Sequence, residues 1–294
     1  MIGLLLEGGS MRAGFVAGAL MALMDKGLLG FDVAVAVSAS VPTLAYFAAG
    51  QREEMERVWR QELNTPKLVC YRNFPAASFA LSAKRPVLDI DYLVSDVFKK
   101  RYPLDTSAIL KNKMECYFAA TKVPEAELVF LSPSDGDIYQ TLKACMAIPG
   151  CYPATVCMNG GEYVDGGTVN PLPGGLLSEK GVNKIMAILS KPLVCEGAPP
   201  GLIERLLFWR YFQRYGWMLE RLWEAAQAYN DQVGHLERLV REKPARAFII
   251  CPERMPPAKF ITRDRKKING TIDLGYRKVE EMEPKIRGFL SAEP

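Results

Sequence analysis

Short, unbroken apolar runs alternate along this chain with longer stretches in which apolar residues recur at helical spacing. The first run, Ile2 to Leu6, stops at Glu7-Gly8-Gly9 and predicts a strand buried on both faces. Met11 to Lys26 follows with Phe15, Ala19, Leu20 and Leu23 at helical spacing, and Val33 to Val37 predicts a second buried strand. Strand, glycine turn, helix and strand make a βαβ unit, the signature of an α/β fold. A helix is expected from near Val41, with Pro42 in its first turn, and another from Gln51 to Glu62.

Residues 64–86 are aromatic and punctuated by proline without a clear period, so a covering loop is expected there. Pro86 to Lys99 reads as a helix with Leu88, Tyr92, Leu93 and Val97 inward. Cys116 to Thr121 and Leu128 to Leu131 are strand candidates able to pair side by side. Asp137 is placed to cap a helix from Ile138 to Ala147. The Asn159-Gly160 pair, favoured in type I′ turns, predicts a hairpin within Thr155 to Asp165. Lys184 to Leu189 and Ala247 to Cys251 are further strands. Between them Leu202 to Arg241 reads as helical, with arginines interleaved among Phe208, Trp209, Tyr211, Phe212, Tyr215, Trp217, Trp223 and Tyr229. Its aromatic stripe reads as core or lid before it reads as a membrane-surface face. No repeat and no boundary interrupts the 294 residues, so one domain is expected.

Composition narrows the function classes. With 49% hydrophobic residues the chain can bury a large core. The net charge of +4 is spread over mixed-sign segments, which speaks against a nucleic-acid partner. Seven scattered cysteines with no C-x-x-C pair indicate neither a disulfide framework nor a metal site. The first apolar run is too short for a signal peptide and lacks a basic region, and no stretch reaches the roughly 18 apolar residues of a membrane span. A cytoplasmic protein without a cofactor is expected, with peripheral contact at a membrane left open by the aromatic region. The residues carry no signal for an oligomeric state.

Three segments could carry chemistry. Gly8-Gly9-Ser10-Met11-Arg12-Ala13-Gly14 joins the first strand to the first helix. A glycine-rich turn there aims several backbone N–H groups in one direction, which suits a phosphate or a developing oxyanion. The Gly-Lys-Ser/Thr ending of a nucleotide loop is missing, and the dinucleotide spacing fails as well. An oxyanion loop or a purely structural tight turn remains. The second segment is Ala36-Val37-Ser38-Ala39-Ser40, a strand end running into a helix. Ser38 occupies the place of an elbow nucleophile, although Ala36 and Ser40 replace both glycines of G-x-S-x-G. A serine cap on an ordinary helix is the plain alternative.

A nucleophilic serine needs a base, and the one histidine, His235, lies in a charged helical setting far from any strand end. Asp165, in Tyr163-Val164-Asp165-Gly166-Gly167, is the third segment and the candidate base. Gly166 and Gly167 would let the backbone turn tightly and the carboxylate approach another side chain. A solvated turn aspartate is the alternative there.

In this order and spacing the three segments resemble the patatin-like phospholipase family. That family carries a glycine-rich oxyanion loop after the first strand, a G-x-S-x-G elbow and a D-G-G/A aspartate. The likeness runs through Ala147-Ile148-Pro149-Gly150 and Tyr152-Pro153 to the aspartate, covers about residues 1–190, and is nearest to the bacterial branch. It implies a three-layer α/β/α fold with a mostly parallel central sheet, residues 1–190 forming a motif-bearing core and 200–294 a helical portion that completes or covers it. It also implies a lipid acyl hydrolase acting through an acyl-enzyme on a Ser38–Asp165 dyad without histidine. Gly8, Gly9 and Ser10 would form the oxyanion hole, with Arg12 closing the loop. The departures are Ser10 for the third loop glycine, Ala13-Gly14 for Gly-Ala, and Ala36 and Ser40 at the elbow. Small residues there should let the elbow form with some crowding. An acyl-binding protein with little or no turnover is the alternative reading.

Overall fold

The computed structural model describes residues 1–73, 85–197, 201–202 and 216–292. The strands are β1 (Ile2–Leu6), β2 (Val33–Val37), β3 (Glu115–Val123), β4 (Glu127–Leu131), β5 (Val156–Met158), β6 (Gly161–Asp165), β7 (Lys184–Ile188) and β8 (Ala247–Ile250). They form one mixed sheet in the order β5-β6-β3-β2-β1-β7-β8, with β4 paired to β3. The run from β3 through β2, β1 and β7 to β8 is parallel, and β4, β5 and β6 are antiparallel additions.

The unbroken apolar runs are explained by burial of the central strands on both faces. Leu4 and Leu6 face one core together with Ala34, Ala36, Met186 and Ile188, while Leu5 faces a second with Val33, Val35, Ile185 and Ala187. The first face is covered by α1 (Gly14–Asp25), α2 (Ser40–Ala48), α3 (Arg52–Arg57), α4 (Ile90–Tyr92), α5 (Thr106–Lys111), α6 (Ile138–Met146) and α9 (Arg265–Ser291). The second is covered by α7 (Gly175–Glu179) and α8 (Met218–Arg241). Two helices on the first face widen as they proceed: α3 runs on as a π-helix over Val58–Glu62, and α4 as one over Leu93–Arg101.

Several local expectations meet the structure directly. The hairpin turns at Asn159 and Gly160 with φ of 48° and 74°, both positive as a type I′ turn requires. The Asp137 side chain accepts the Tyr139 N–H at the start of α6. Other boundaries shift for identifiable reasons. The helix expected from Pro86 begins at Ile90, capped by Asp89, because Val87 and Leu88 are held extended: Val87 O accepts the Cys70 N–H, the Asp89 N–H donates to Leu68 O, and Leu88 bridges Val69. The helix expected from Met11 opens as a 3-10 turn, Ser10–Ala13, and becomes α-helical at Gly14. In α9, Ile268, Ile272, Val279 and Ile286 return to one face and pack into the first core. Phe208, Trp209, Tyr211, Phe212 and Tyr215, and residues 74–84 of the expected loop, lie outside the described residues.

Candidate active site

The site is set by how two strands end against a third. Along one edge of β3, Val37 of β2 pairs with Ala119, and Asp165 of β6 pairs with the next residue, Ala120. The opposite edge over these residues is taken by β4, so β2 and β6 share an edge and run toward each other. Ser38, just beyond Val37, therefore emerges where Asp165 ends its strand. The Thr121 hydroxyl donates to Asp165 O at 3.0 Å, and the Asp165 N–H donates to Ala147 O at 3.1 Å. Gly166 lets the chain leave this edge, because a Cβ there would lie 2.5 Å from Ala119 O.

Ser38 sits at φ 57°, a left-handed conformation that costs a non-glycine residue on the order of 1–3 kcal/mol and is characteristic of exposed nucleophiles on strand-to-helix turns. Its carbonyl accepts the Val41 N–H at 2.9 Å as α2 begins. The substituted elbow positions are both fully buried, and Ser40 does more than fill space. Its hydroxyl donates to Glu7 O at 2.6 Å, tying α2 to the glycine-rich loop.

That loop is braced from a second side, since the Ser190 hydroxyl donates to Gly8 O at 2.8 Å. Gly9 has φ 139°, and a Cβ there would lie 2.6 Å from Ser190 Oγ, so the position requires glycine. Ser10, in the place of the third glycine, takes φ 50°. The Met11 and Arg12 N–H groups are used by Phe260 O and Gly9 O, while among the described residues no hydrogen bond engages the N–H of Gly9 or Ser10.

Burial governs the charges. Asp165 is 3% exposed, and burial pushes its carboxyl up to about 6, with the Ser38 hydroxyl and the Gly167 N–H drawing it back part of the way. Oδ1 accepts the Gly167 N–H at 2.7 Å, and Oδ2 is buried without a hydrogen-bonding partner. The Ser38 side chain is thus near enough to favour the ionised carboxylate, although Oδ2 accepts no formed hydrogen bond.

Beneath the loop, burial pushes the Glu7 carboxyl up to about 7 against the pull of Lys191 and Arg12. Its Oε2 accepts the Ser190 N–H at 2.6 Å. Lys191 is held below the usual lysine range by burial, with Glu7 acting against that, and its ammonium lies 3.5 Å from the centroid of the Tyr229 ring. Arg12 Nε and the Tyr229 hydroxyl are buried with no hydrogen-bonding partner.

These groups line one cleft of about 510 Å³, a size suited to a small ligand. Gly8, Gly9, Arg12, Ser38, Asp165 and Gly167 all open onto it, so the sequence-predicted residues of loop, elbow and aspartate converge there. Ser10 faces an adjoining pocket that also reaches Ser38. His235 is half-buried on α8 and is not among the cleft residues. Among the described residues no cluster of His, Cys, Asp and Glu could hold a metal ion.

Sequence reasoning passed over Glu7, Ser190, Lys191 and Tyr229. A charged residue closing a buried apolar strand was a signal at Glu7. Ser190 and Lys191 lie one residue beyond β7, at the carboxyl end of a parallel strand, where open α/β sheets gather their sites. Tyr229 had no comparable signal, because only the tertiary packing of α8 brings it over the cleft.

Comparison with known proteins agrees with the geometry. The model of the patatin-like phospholipase family matches residues 4–176, which include the loop, the elbow and Asp165. The uncharacterized protein YjjU of Escherichia coli strain K12 is 25% identical over 194 residues, 65% of this chain and 52% of YjjU. The chain therefore spans about half the length of that curated relative. The crystal structure of VipD from Legionella pneumophila superposes with a TM-score of 0.51 at 13% identity, covering 98% of this chain and 67% of VipD, a likeness of fold alone.

Proposed function

The chain belongs to the patatin-like phospholipase family, a membership that implies lipid acyl hydrolysis, and from that premise we propose that it cleaves carboxylic esters through an acyl-enzyme on Ser38, with Asp165 as base and no histidine. Residues 1–294 act as one domain in this reading. The observation that carries it is a buried carboxylate with one unpartnered oxygen that lines the same cleft as a serine on a strained elbow, and burial pushes that carboxyl up to about 6.

Each step has a group suited to it. Asp165 takes the Ser38 proton as Oγ attacks the ester carbonyl, and its raised pKa brings it closer to working pH than an ordinary aspartate. The uncommitted N–H groups of Gly9 and Ser10 receive the negative charge on the carbonyl oxygen, with Arg12 adding positive field. Asp165 then returns the proton to the departing alcohol, and water, activated by the same carboxylate, releases the acid. The alcohol part of the substrate lies in the wide cleft, where Lys191 and Arg12 favour an anionic group.

Lipid would be met at the cleft mouth. Met255 and Phe260 line the cleft and are 50% and 41% exposed. Apolar side chains gathered at a rim suit shallow contact with a lipid surface. No helix among the described residues is long and apolar enough to cross a membrane.

The test is release of fatty acid from lysophospholipid and neutral ester substrates. Wild-type protein should release it, and Ser38→Ala and Asp165→Asn should each abolish release. Undiminished release by folded Ser38→Ala would overturn the reading. Sedimentation with anionic vesicles, reduced by Met255→Ser, tests the surface contact, and no sedimentation at low salt would remove it.

A further inference from the structure

A second opening leads away from Ser38, on the side opposite the cationic cleft. It consists of two adjoining pockets of about 50 and 40 Å³ on the α-helical face that carries α2, α3 and α4. The first touches Ser10 and Ser38 and shares Ser38 and Ile148 with the cleft. The two pockets share Ala39, Trp59, Leu63, Leu93 and Met146, and the second ends at Tyr46 and Phe98.

The chemistry of the walls differs sharply from that of the cleft. Trp59 Nε1 donates to the Thr43 hydroxyl at 3.1 Å, that hydroxyl donates to Ala39 O at 3.0 Å, and the Tyr46 hydroxyl donates to Tyr102 O at 2.6 Å. The polar groups of the second pocket are thus committed to the protein, and a guest would meet apolar atoms. Both widened helical segments form its walls: Val58 and Trp59 stand on the π-helix after α3, and Leu93 and Phe98 on the one after α4. Protein interiors rarely leave such space, and π segments recur at functional sites.

We propose that these two pockets are the acyl seat and that its floor, formed by Tyr46 and Phe98, restricts the enzyme to short and medium acyl chains. The inference rests on Ser38 being the nucleophile. Since one water-sized group needs roughly 10–15 Å³ of such space, the two pockets together accept a chain of about six to nine carbons. The acyl group lies in this seat while the alcohol lies in the cationic cleft, so the two halves of the ester are sorted by opposite chemistry on either side of Ser38.

The experiment measures kcat/KM for 4-nitrophenyl esters from acetate to palmitate, each below its micelle concentration. In parallel, hexanoate, octanoate and palmitate are titrated calorimetrically into Ser38→Ala. Wild-type kcat/KM should climb by roughly fourfold per methylene up to about eight carbons and fall at least tenfold by palmitate, with octanoate the tightest acid. Phe98→Ala, which lowers the floor, should raise the ratio of dodecanoate to acetate turnover at least tenfold. Met146→Phe, which narrows the waist, should cut the ratio of octanoate to acetate turnover at least tenfold, so the inference survives if one variant fails to fold. Turnover highest for palmitate, or variants that scale every ester alike, would overturn the seat while leaving the hydrolase. No turnover at any length, with octanoate still preferred over palmitate in binding, would overturn the hydrolase while supporting the seat.

Discussion

Ser38 and Asp165 come together because the strands that carry them end against one edge of β3, Val37 on Ala119 and Asp165 on Ala120. The register of two strands, and no sequence neighbourhood, therefore fixes the pair. Gly166 is the hinge on which this depends. A Cβ at that position meets Ala119 O, so Gly166→Ala should push the Asp165 segment off β3, lower stability by about 1–3 kcal/mol, and reduce kcat/KM at least tenfold. Urea unfolding and ester kinetics on the variant check this, and a variant with wild-type kinetics would contradict it.

As the proposed base, Asp165 must be ionised to accept the serine proton, and burial pushes its carboxyl up to about 6. The profile of kcat/KM should fall tenfold per pH unit below about 6 and level off above about 7. Asp165→Asn should cost about 10²–10⁴-fold in kcat and abolish that limb. Because the folded pKa is raised, the native state holds this proton more tightly than the unfolded chain. Its stabilising contribution is complete below about pH 4 and lost as pH rises through 6. Asp165→Asn should therefore gain stability at pH 8, measured by urea unfolding, while losing activity.

Glu7 obeys the same sign with a wider window. Its carboxyl is raised from 4.5 to about 7, so its contribution is full below pH 4.5 and disappears as pH rises through about 7. Glu7→Gln keeps an oxygen for the Ser190 N–H and removes the buried charge. Its stability at pH 8 should exceed wild type by on the order of 3 kcal/mol, with little difference at pH 4.5. An equal pH dependence in both proteins would contradict the burial of an ionisable Glu7.

Ser40 replaces an elbow glycine and braces the loop through Glu7 O. Returning it to glycine restores the G-x-S-x-G spelling but leaves that carbonyl buried without its donor. Ser40→Gly should cost about 1–3 kcal/mol of stability and lower kcat without raising it for any ester, as chemical unfolding and steady-state kinetics would register. A faster enzyme would show that the substitution was a defect.

Much of this site is legible in the sequence because strand ends and tight turns leave local marks. The apolar runs of β1 and β2, the turn pair Asn159-Gly160 and the Asp137 cap each state their own geometry. The loop and elbow followed from where Gly8-Gly9 and Ser38 stand relative to those strands. What stayed hidden depends on contacts between distant segments. Ser40 looks like a lost glycine until Glu7 O is seen 2.6 Å away. Lys191 and Tyr229 meet only through the packing of α8, and the start of α4 moved because Val87 O and Leu88 are tied to Cys70 and Val69 across a gap in sequence. The π turns that open the second pocket carry no periodic signal, since their residues read as ordinary helix.

The central claim is that Ser38 is the nucleophile activated by Asp165, and the most direct measurement is peptide mapping by mass spectrometry after reaction with a small alkyl fluorophosphonate. A single adduct on Ser38 is predicted, formed at least a hundredfold more slowly in Asp165→Asn and absent from Ser38→Ala, with labelling of the wild type rising through pH 6. Absence of an adduct on Ser38 in folded wild-type protein, or labelling of Ser38 at the same rate in Asp165→Asn, would contradict it.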